Sequence, residues 1–192
     1  MDLFTIFAAS ILINNFVYYY FLGVCPFLGL SKKIDAAFSM GVAVTFVMAL
    51  TAVVSWAINH WILIPYGLEY LQIVAFILVI ASLVQLVEMF IRKTSQPLYQ
   101  AMGIYLPLIT VNCCIMGLAL LASLKNYNFP ETVVFGVGAG IGFTIAIVLM
   151  AAIREQLELA DVPEAVKGAG ISLIVTGIIA LAFLGFSGMI KQ

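Results

Sequence analysis

Six stretches of this chain contain no Asp, Glu, Lys or Arg, and each is at least 18 residues long: Leu3–Ser31, Ala36–Leu68, Tyr70–Val87, Thr94–Leu124, Thr132–Ile153 and Gly168–Ile190. About 20 apolar residues cross the hydrocarbon core of a bilayer as a helix, and lipid offers nothing else to satisfy the backbone. The chain is therefore expected to be an all-α membrane protein with six transmembrane helices, over residues 3–30, 36–58, 70–90, 98–123, 132–153 and 170–189. Charged residues make up 9% of the chain, against about 25% in soluble domains, which excludes an ordinary soluble enzyme. No polar linker divides it, so residues 1–192 read as a single transmembrane domain.

Basic residues near span ends stay on the cytoplasmic side. Loops 1–2, 3–4 and 5–6 carry Lys32, Lys33, Arg92, Lys93, Arg154 and Lys167, whereas the opposite side carries only Lys125 and Lys191. Both termini are thus expected outside. The opening "MDLFTIFAAS" has an acid and no basic flank, so the first span is expected to be retained rather than cleaved as a signal peptide. A net charge of −1 gives no general attraction for nucleic acid. Loop 5–6, "REQLELADVPEAVKG", is the longest polar stretch; Arg154 and Glu158 stand at i,i+4 spacing before Pro163 and read as a solvated helix cap.

Spans one and four are longer than a bilayer needs, at 29 and 31 uncharged residues. Gly23, Pro26 and Gly29 interrupt the first, and Gly103, Pro107 and Gly117 interrupt the fourth. Glycine permits unusual backbone angles and proline removes a donor, so both spans are expected to be broken. They also head the two halves of the chain, about 1–93 and 94–192. Cys25-x-x-x-Gly29-Leu30 matches Cys113-x-x-x-Gly117-Leu118, and Phe38-x-x-Gly41-x4-Phe46 matches Phe135-x-x-Gly138-x4-Phe143. With three spans per half, the second half enters the membrane upside down, the pattern of a 3+3 inverted repeat with its site near the midplane.

An inverted repeat would bring Cys25 and Cys113 toward one another across its axis, making a paired thiol site. Broken backbone around each would aim N–H groups at sulfur. Against this stands ordinary packing, since a buried free cysteine behaves as a small hydrophobe; Cys114, about 100° around the helix from Cys113, is assigned to packing. Two thiolates are too few for a zinc or iron–sulfur site, which takes four ligands. Either another subunit supplies the rest, in which case an all-thiolate site favours a 2Fe-2S cluster, or no such metal is bound. His60, beside Trp61 in loop 2–3, suits an interfacial role.

Other polar residues inside the spans are candidates for supporting roles. Thr110 and Asn112 precede Cys113 and stand, with Gly29 and Gly117, as a possible second shell, either donating to cluster sulfur or bonding the broken backbone. Asn14, Asn15 and Glu88 are candidates for an ion path. Bland alternatives are helix–helix hydrogen bonds for the asparagines and an ion pair with Arg92 for Glu88, which lies one turn from Gln85.

The segments "NNFVYYYFLGVCPFLGLSKK", "WILIP", "LPLITVNCCIMG", "AAIREQLELADVP" and "LAFLGFSGMIK" together resemble the A subunit of Rnf ion-translocating electron-transport complexes over essentially the whole chain. The paralogous D and E subunits of the sodium-pumping NADH:quinone reductase look similar but match "CPFLGLSKK" and "WILIP" less well. The resemblance implies a six-span subunit of the bacterial or archaeal inner membrane, paired in inverted orientation with a homologous E-type subunit. It implies an intramembrane 2Fe-2S cluster shared by the two, with Cys25 and Cys113 as this chain's ligands. It further implies other subunits carrying flavin and iron–sulfur centres, electron flow between ferredoxin and NAD, and coupled transport of sodium ions or protons. The chain would perform no catalysis alone. It departs from the family pattern at Cys114, where a small apolar residue is expected, and Cys113 is taken as the ligand. A secondary transporter built on an inverted repeat is the alternative reading, and a scaffold whose cysteines only pack is a third.

Overall fold

The computed structural model describes residues 3–31, 34–67, 69–94, 112–159 and 168–187. All regular elements among the described residues are helical. They are α1 (Leu3–Leu12), α2 (Val24–Leu30), α3 (Ile34–Ile58), a π-helical turn (Asn59–Leu63) running into the short α4 (Ile64–Tyr66), a 3-10 turn (Glu69–Leu71) leading into α5 (Gln72–Thr94), α6 (Cys113–Leu124), α7 (Phe129–Glu158) and α8 (Ala169–Ser187). Three stretches are long and apolar enough to cross a bilayer: Ile34–Tyr66, Gln72–Met89 and Phe129–Leu157. The shorter apolar helices Leu3–Leu12, Cys113–Leu124 and Ala169–Gly185 fall within the other three expected spans.

Span one is broken as expected. Helix α1 stops at Leu12, and eleven residues pass before α2 begins at Val24. Phe21 and Gly23 turn the chain there with φ of 56° and 79°, the left-handed region that glycine tolerates and a bulky residue rarely adopts. Thr110 and the expected interruption of span four at Gly103 and Pro107 lie outside the described residues; α6 covers the described end of that stretch.

Span two, expected to end at Ile58, stays helical to Tyr66. At the π-helical turn the Ile64 N–H donates to the Asn59 carbonyl, five residues back. The widened turn stands immediately before Pro65, which has no N–H to give and would clash in a regular helix interior. Gly67, at φ 62°, then ends the helix in the left-handed cap that glycine favours.

Helix α7 is the centre of the fold because its glycines let two helices approach it closely. Of the four in "GVGAGIG", Gly136 and Gly140 share one face and Gly138 and Gly142 the other, since a step of two residues turns the helix by about 200°. A Cβ on Gly140 would lie 2.7 Å from Thr45 Cα of α3, and one on Gly136 would lie 2.8 Å from Ala52 Cβ. On the other face, a Cβ on Gly138 would strike Ser10 Oγ of α1, and one on Gly142 would lie 3.1 Å from the Ile11 carbonyl. Small residues at four-residue spacing are how helices pack where lipid removes the hydrophobic drive for association.

The α3–α7 pair is antiparallel: Gly41 meets Thr144, Thr45 meets Gly140 and Ala52 meets Gly136. Its midpoint repeats one motif on both sides, Gly41-x3-Thr45 against Gly140-x3-Thr144. The two threonine oxygens are 3.1 Å apart, and each also lies within hydrogen-bonding reach of the glycine carbonyl one turn back. The phenylalanines matched in the sequence occupy unlike surroundings, with Phe135 and Phe143 buried and Phe38 and Phe46 exposed.

Candidate metal centre

One residue from the polar set holds the break in span one against α7. The Asn15 side chain donates through Nδ2 to the Gly142 carbonyl at 2.9 Å and accepts from the Val17 N–H at 3.0 Å through Oδ1. It thereby satisfies the Val17 N–H, which the interrupted helix leaves open, a requirement away from water. Tyr18 adds a hydroxyl donated to the Ala146 carbonyl at 3.3 Å. Asn14 is buried beside it. Its own N–H closes a wide turn on the Ala9 carbonyl at 2.7 Å. For Asn15 the helix-bonding reading is the one the geometry shows. Glu88 is half-buried on α5.

The start of α6 is built by Asn112. As N-cap it accepts the Cys114 N–H through Oδ1 at 3.1 Å, the usual way a side chain takes a donor that the first turn cannot place. This makes Cys113 the first residue of α6. Cys25 is the second residue of α2. Both cysteines therefore stand in the first turn of a helix that begins within a long apolar run.

The break and the start of α6 touch. The Gly23 N–H donates to Cys113 Sγ at 2.8 Å. Cys25 follows Gly23 by two residues, so chain geometry holds its Cα within about 7 Å of that of Gly23. The approach requires glycine: a Cβ there would strike Cys114 Sγ and lie 2.9 Å from the Phe143 ring and 3.4 Å from Asn112 Oδ1. Gly117 serves a similar end one turn into α6, where a Cβ would strike Leu22 of the break. Gly29 is exposed on α2.

The three thiols differ in access. Cys25 is exposed, Cys113 half-buried and Cys114 buried at 0% exposure. A soft donor set shared with a second chain needs sulfur that the second chain can reach, which Cys25 and Cys113 offer and Cys114 does not. Among the described residues no group of three or more His, Cys, Asp or Glu could hold a metal. A 2Fe-2S cluster thus fits as half a site, two thiols here and two from elsewhere, with a backbone N–H already placed on one sulfur.

Arg154 does something the sequence did not reveal. It donates to the Leu28 carbonyl and to Ser31 Oγ, both at 2.8 Å, tying the end of α7 to the end of α2. A guanidinium there satisfies a last-turn carbonyl and opposes the helix dipole. His60 stacks on Trp56, ring centroids 5.0 Å apart, well away from the thiols. A backbone N–H on sulfur was expected, but not that Gly23 of span one would supply it to Cys113; the paired faces of α7 were missed, and the four-residue spacing of its glycines was the available signal.

A family model described as "Rnf-Nqr subunit, membrane protein" matches residues 3–190. The chain is 57% identical over 189 residues to the A subunit of the Na(+)-translocating ferredoxin:NAD(+) oxidoreductase complex of Acetobacterium woodii, covering 98% of each chain. It is 51% identical over 190 residues to the A subunit of the ion-translocating oxidoreductase complex of Edwardsiella ictaluri, covering 99% of this chain and 98% of the relative. The similarly named protein of Shigella flexneri serotype 5b is 52% identical over 190 residues, with the same coverage.

Proposed function

The chain belongs to the Rnf-Nqr family of membrane-protein subunits, and from that premise we propose that Cys25 and Cys113 supply two of the four ligands of an intramembrane 2Fe-2S cluster. The chain is a multi-pass membrane subunit of an ion-translocating electron-transport complex. Its work is to relay electrons between ferredoxin and NAD within the complex, as the full name of the Acetobacterium relative suggests. The other two ligands come from a homologous E-type subunit lying inverted beside it in the bacterial cytoplasmic membrane. Further subunits carry the flavin and iron–sulfur centres at either end of the path.

One observation carries the reading: the break in span one and the capped start of α6 meet at sulfur, through the Gly23 N–H and Cys113 Sγ. The cluster would supply one-electron chemistry, and the chain's residues supply its place. Asn112 and Gly23 hold Cys113; Cys25 follows Gly23 by two residues; Asn15 and Tyr18 anchor the break on α7.

The inverted repeat belongs to the same reading. In its favour, both cysteines stand in the first turn of a helix, and α3 and α7 cross antiparallel through the same Gly-x3-Thr motif. The contact of Arg154 with the end of α2 gathers the ends of loops 1–2 and 5–6, which supports one basic, cytoplasmic side and both termini outside.

Electron paramagnetic resonance of the purified complex tests the ligand set. The reduced complex is expected to show a 2Fe-2S signal that disappears in Cys25→Ser and Cys113→Ser and persists in Cys114→Ser. An undiminished signal in Cys25→Ser would remove Cys25 from the ligands.

A further inference from the structure

Gly23 combines three properties that packing alone does not require together. Its N–H points at Cys113 Sγ at 2.8 Å, its φ of 79° is one that a side chain disfavours, and the space where a Cβ would stand is occupied by Cys114 Sγ and the Phe143 ring. The left-handed turn is what aims the N–H at α6 rather than along its own segment. The crowding supports that aim, because the space beside Gly23 is filled by Cys114 Sγ and the Phe143 ring and admits no side chain. Cys114, which ligand chemistry leaves without a task, is thereby accounted for: its buried sulfur is a wall of the slot that holds the turn.

We propose that Gly23 is a positioning residue for electron transfer, its backbone N–H bonding the Cys113 sulfur so as to orient that ligand and raise the reduction potential of the centre it holds. The inference rests on the reading that Cys113 is a cluster ligand. Reduction adds negative charge, part of which resides on the coordinating sulfurs, and a donor aimed at one of them stabilises the reduced state more than the oxidised one. Cys25, whose sulfur is exposed, does not share this donor, so the two thiols of this chain would hold the centre unequally.

The test uses the whole complex, prepared with 15N-labelled glycine and examined by pulsed paramagnetic resonance alongside a redox titration. The wild-type reduced signal is expected to show hyperfine coupling to a glycine nitrogen. In Gly23→Ala the signal is expected to remain, the glycine coupling to vanish and the midpoint potential to move to a more negative value. In Gly23→Ala with Cys114→Ala, the sulfur that the new Cβ would strike is gone, and the potential is expected to return toward that of the wild type. This double variant also serves if the single one fails to assemble. A 2Fe-2S signal without glycine coupling in the wild type, or with coupling and potential unchanged in either variant, overturns the role of Gly23 and leaves the ligand assignment standing. Absence of any 2Fe-2S signal from the wild-type complex overturns the ligand assignment itself.

Discussion

The α3–α7 crossing and the break in span one lie a few residues apart, and they are held by opposite means. Along α3 and α7 every backbone group in the interior is satisfied within its own helix, so the contact needs only closeness, which Gly136 and Gly140 provide. Between Leu12 and Val24 the helical ladder is interrupted, and side chains step in: Asn15 accepts the Val17 N–H, and Asn15 and Tyr18 tether the break to the Gly142 and Ala146 carbonyls of α7. A continuous span asks only for room at its contact, which at Gly140 means glycine. A broken one depends on particular donors and acceptors, and that dependence is what leaves a backbone N–H free to meet a sulfur.

Three substitutions would sharpen or undo this contrast. Asn15→Ala should have the largest effect, since it orphans the buried Val17 N–H at about 1–3 kcal/mol and also removes the tether to the Gly142 carbonyl, at about 0.6 kcal/mol for an interhelical hydrogen bond. The expected outcome is a complex that loses this subunit on detergent extraction or unfolds at clearly lower temperature; wild-type stability would mean that the break is held by something else. Gly140→Ala should cost about 1–3 kcal/mol, because its Cβ meets the backbone of Thr45, which cannot swing aside. Thermal unfolding of the purified complex should register the loss, and an unchanged midpoint would show that the helices separate freely. Thr45→Val should be mildest, at about 0.6 kcal/mol for one interhelical hydrogen bond in a membrane. A change as large as that of Asn15→Ala would mean that the threonine pair does more than pack.

Much of the architecture was legible in order of length. Uncharged runs mark the apolar helices because a charge in hydrocarbon is costly, and surplus length with Gly23 foretold the interruption of span one, whereas Pro26 and Gly29, expected to share in it, lie inside α2, whose first turn has room for a residue without an N–H. The standing of Cys25 and Cys113 beside helix starts was legible through their matched surroundings. Arg154 was not: its spacing pointed to Glu158, whereas the helix end at Leu28 lies 126 positions away in sequence and beside it in space. Nor was the reach of span two past Ile58, since a π-helical turn depends on one carbonyl choosing a donor five residues on. The role of Asn15 was open for the same reason, as helix bonding and an ion path ask for the same residue type.

By itself the sequence determined which segments are helical and apolar enough for lipid, that the first of them has to break, and that a thiol follows the break, because those follow from the free energy of placing each residue in hydrocarbon and from the backbone angles it allows. Only the tertiary structure decided which orphaned groups find one another. That outcome depends on how closely α1, α3 and α7 approach, a distance measured in tenths of an ångström and set by glycine faces whose partners are a hundred residues away, and it is this approach that brings Gly23 to Cys113.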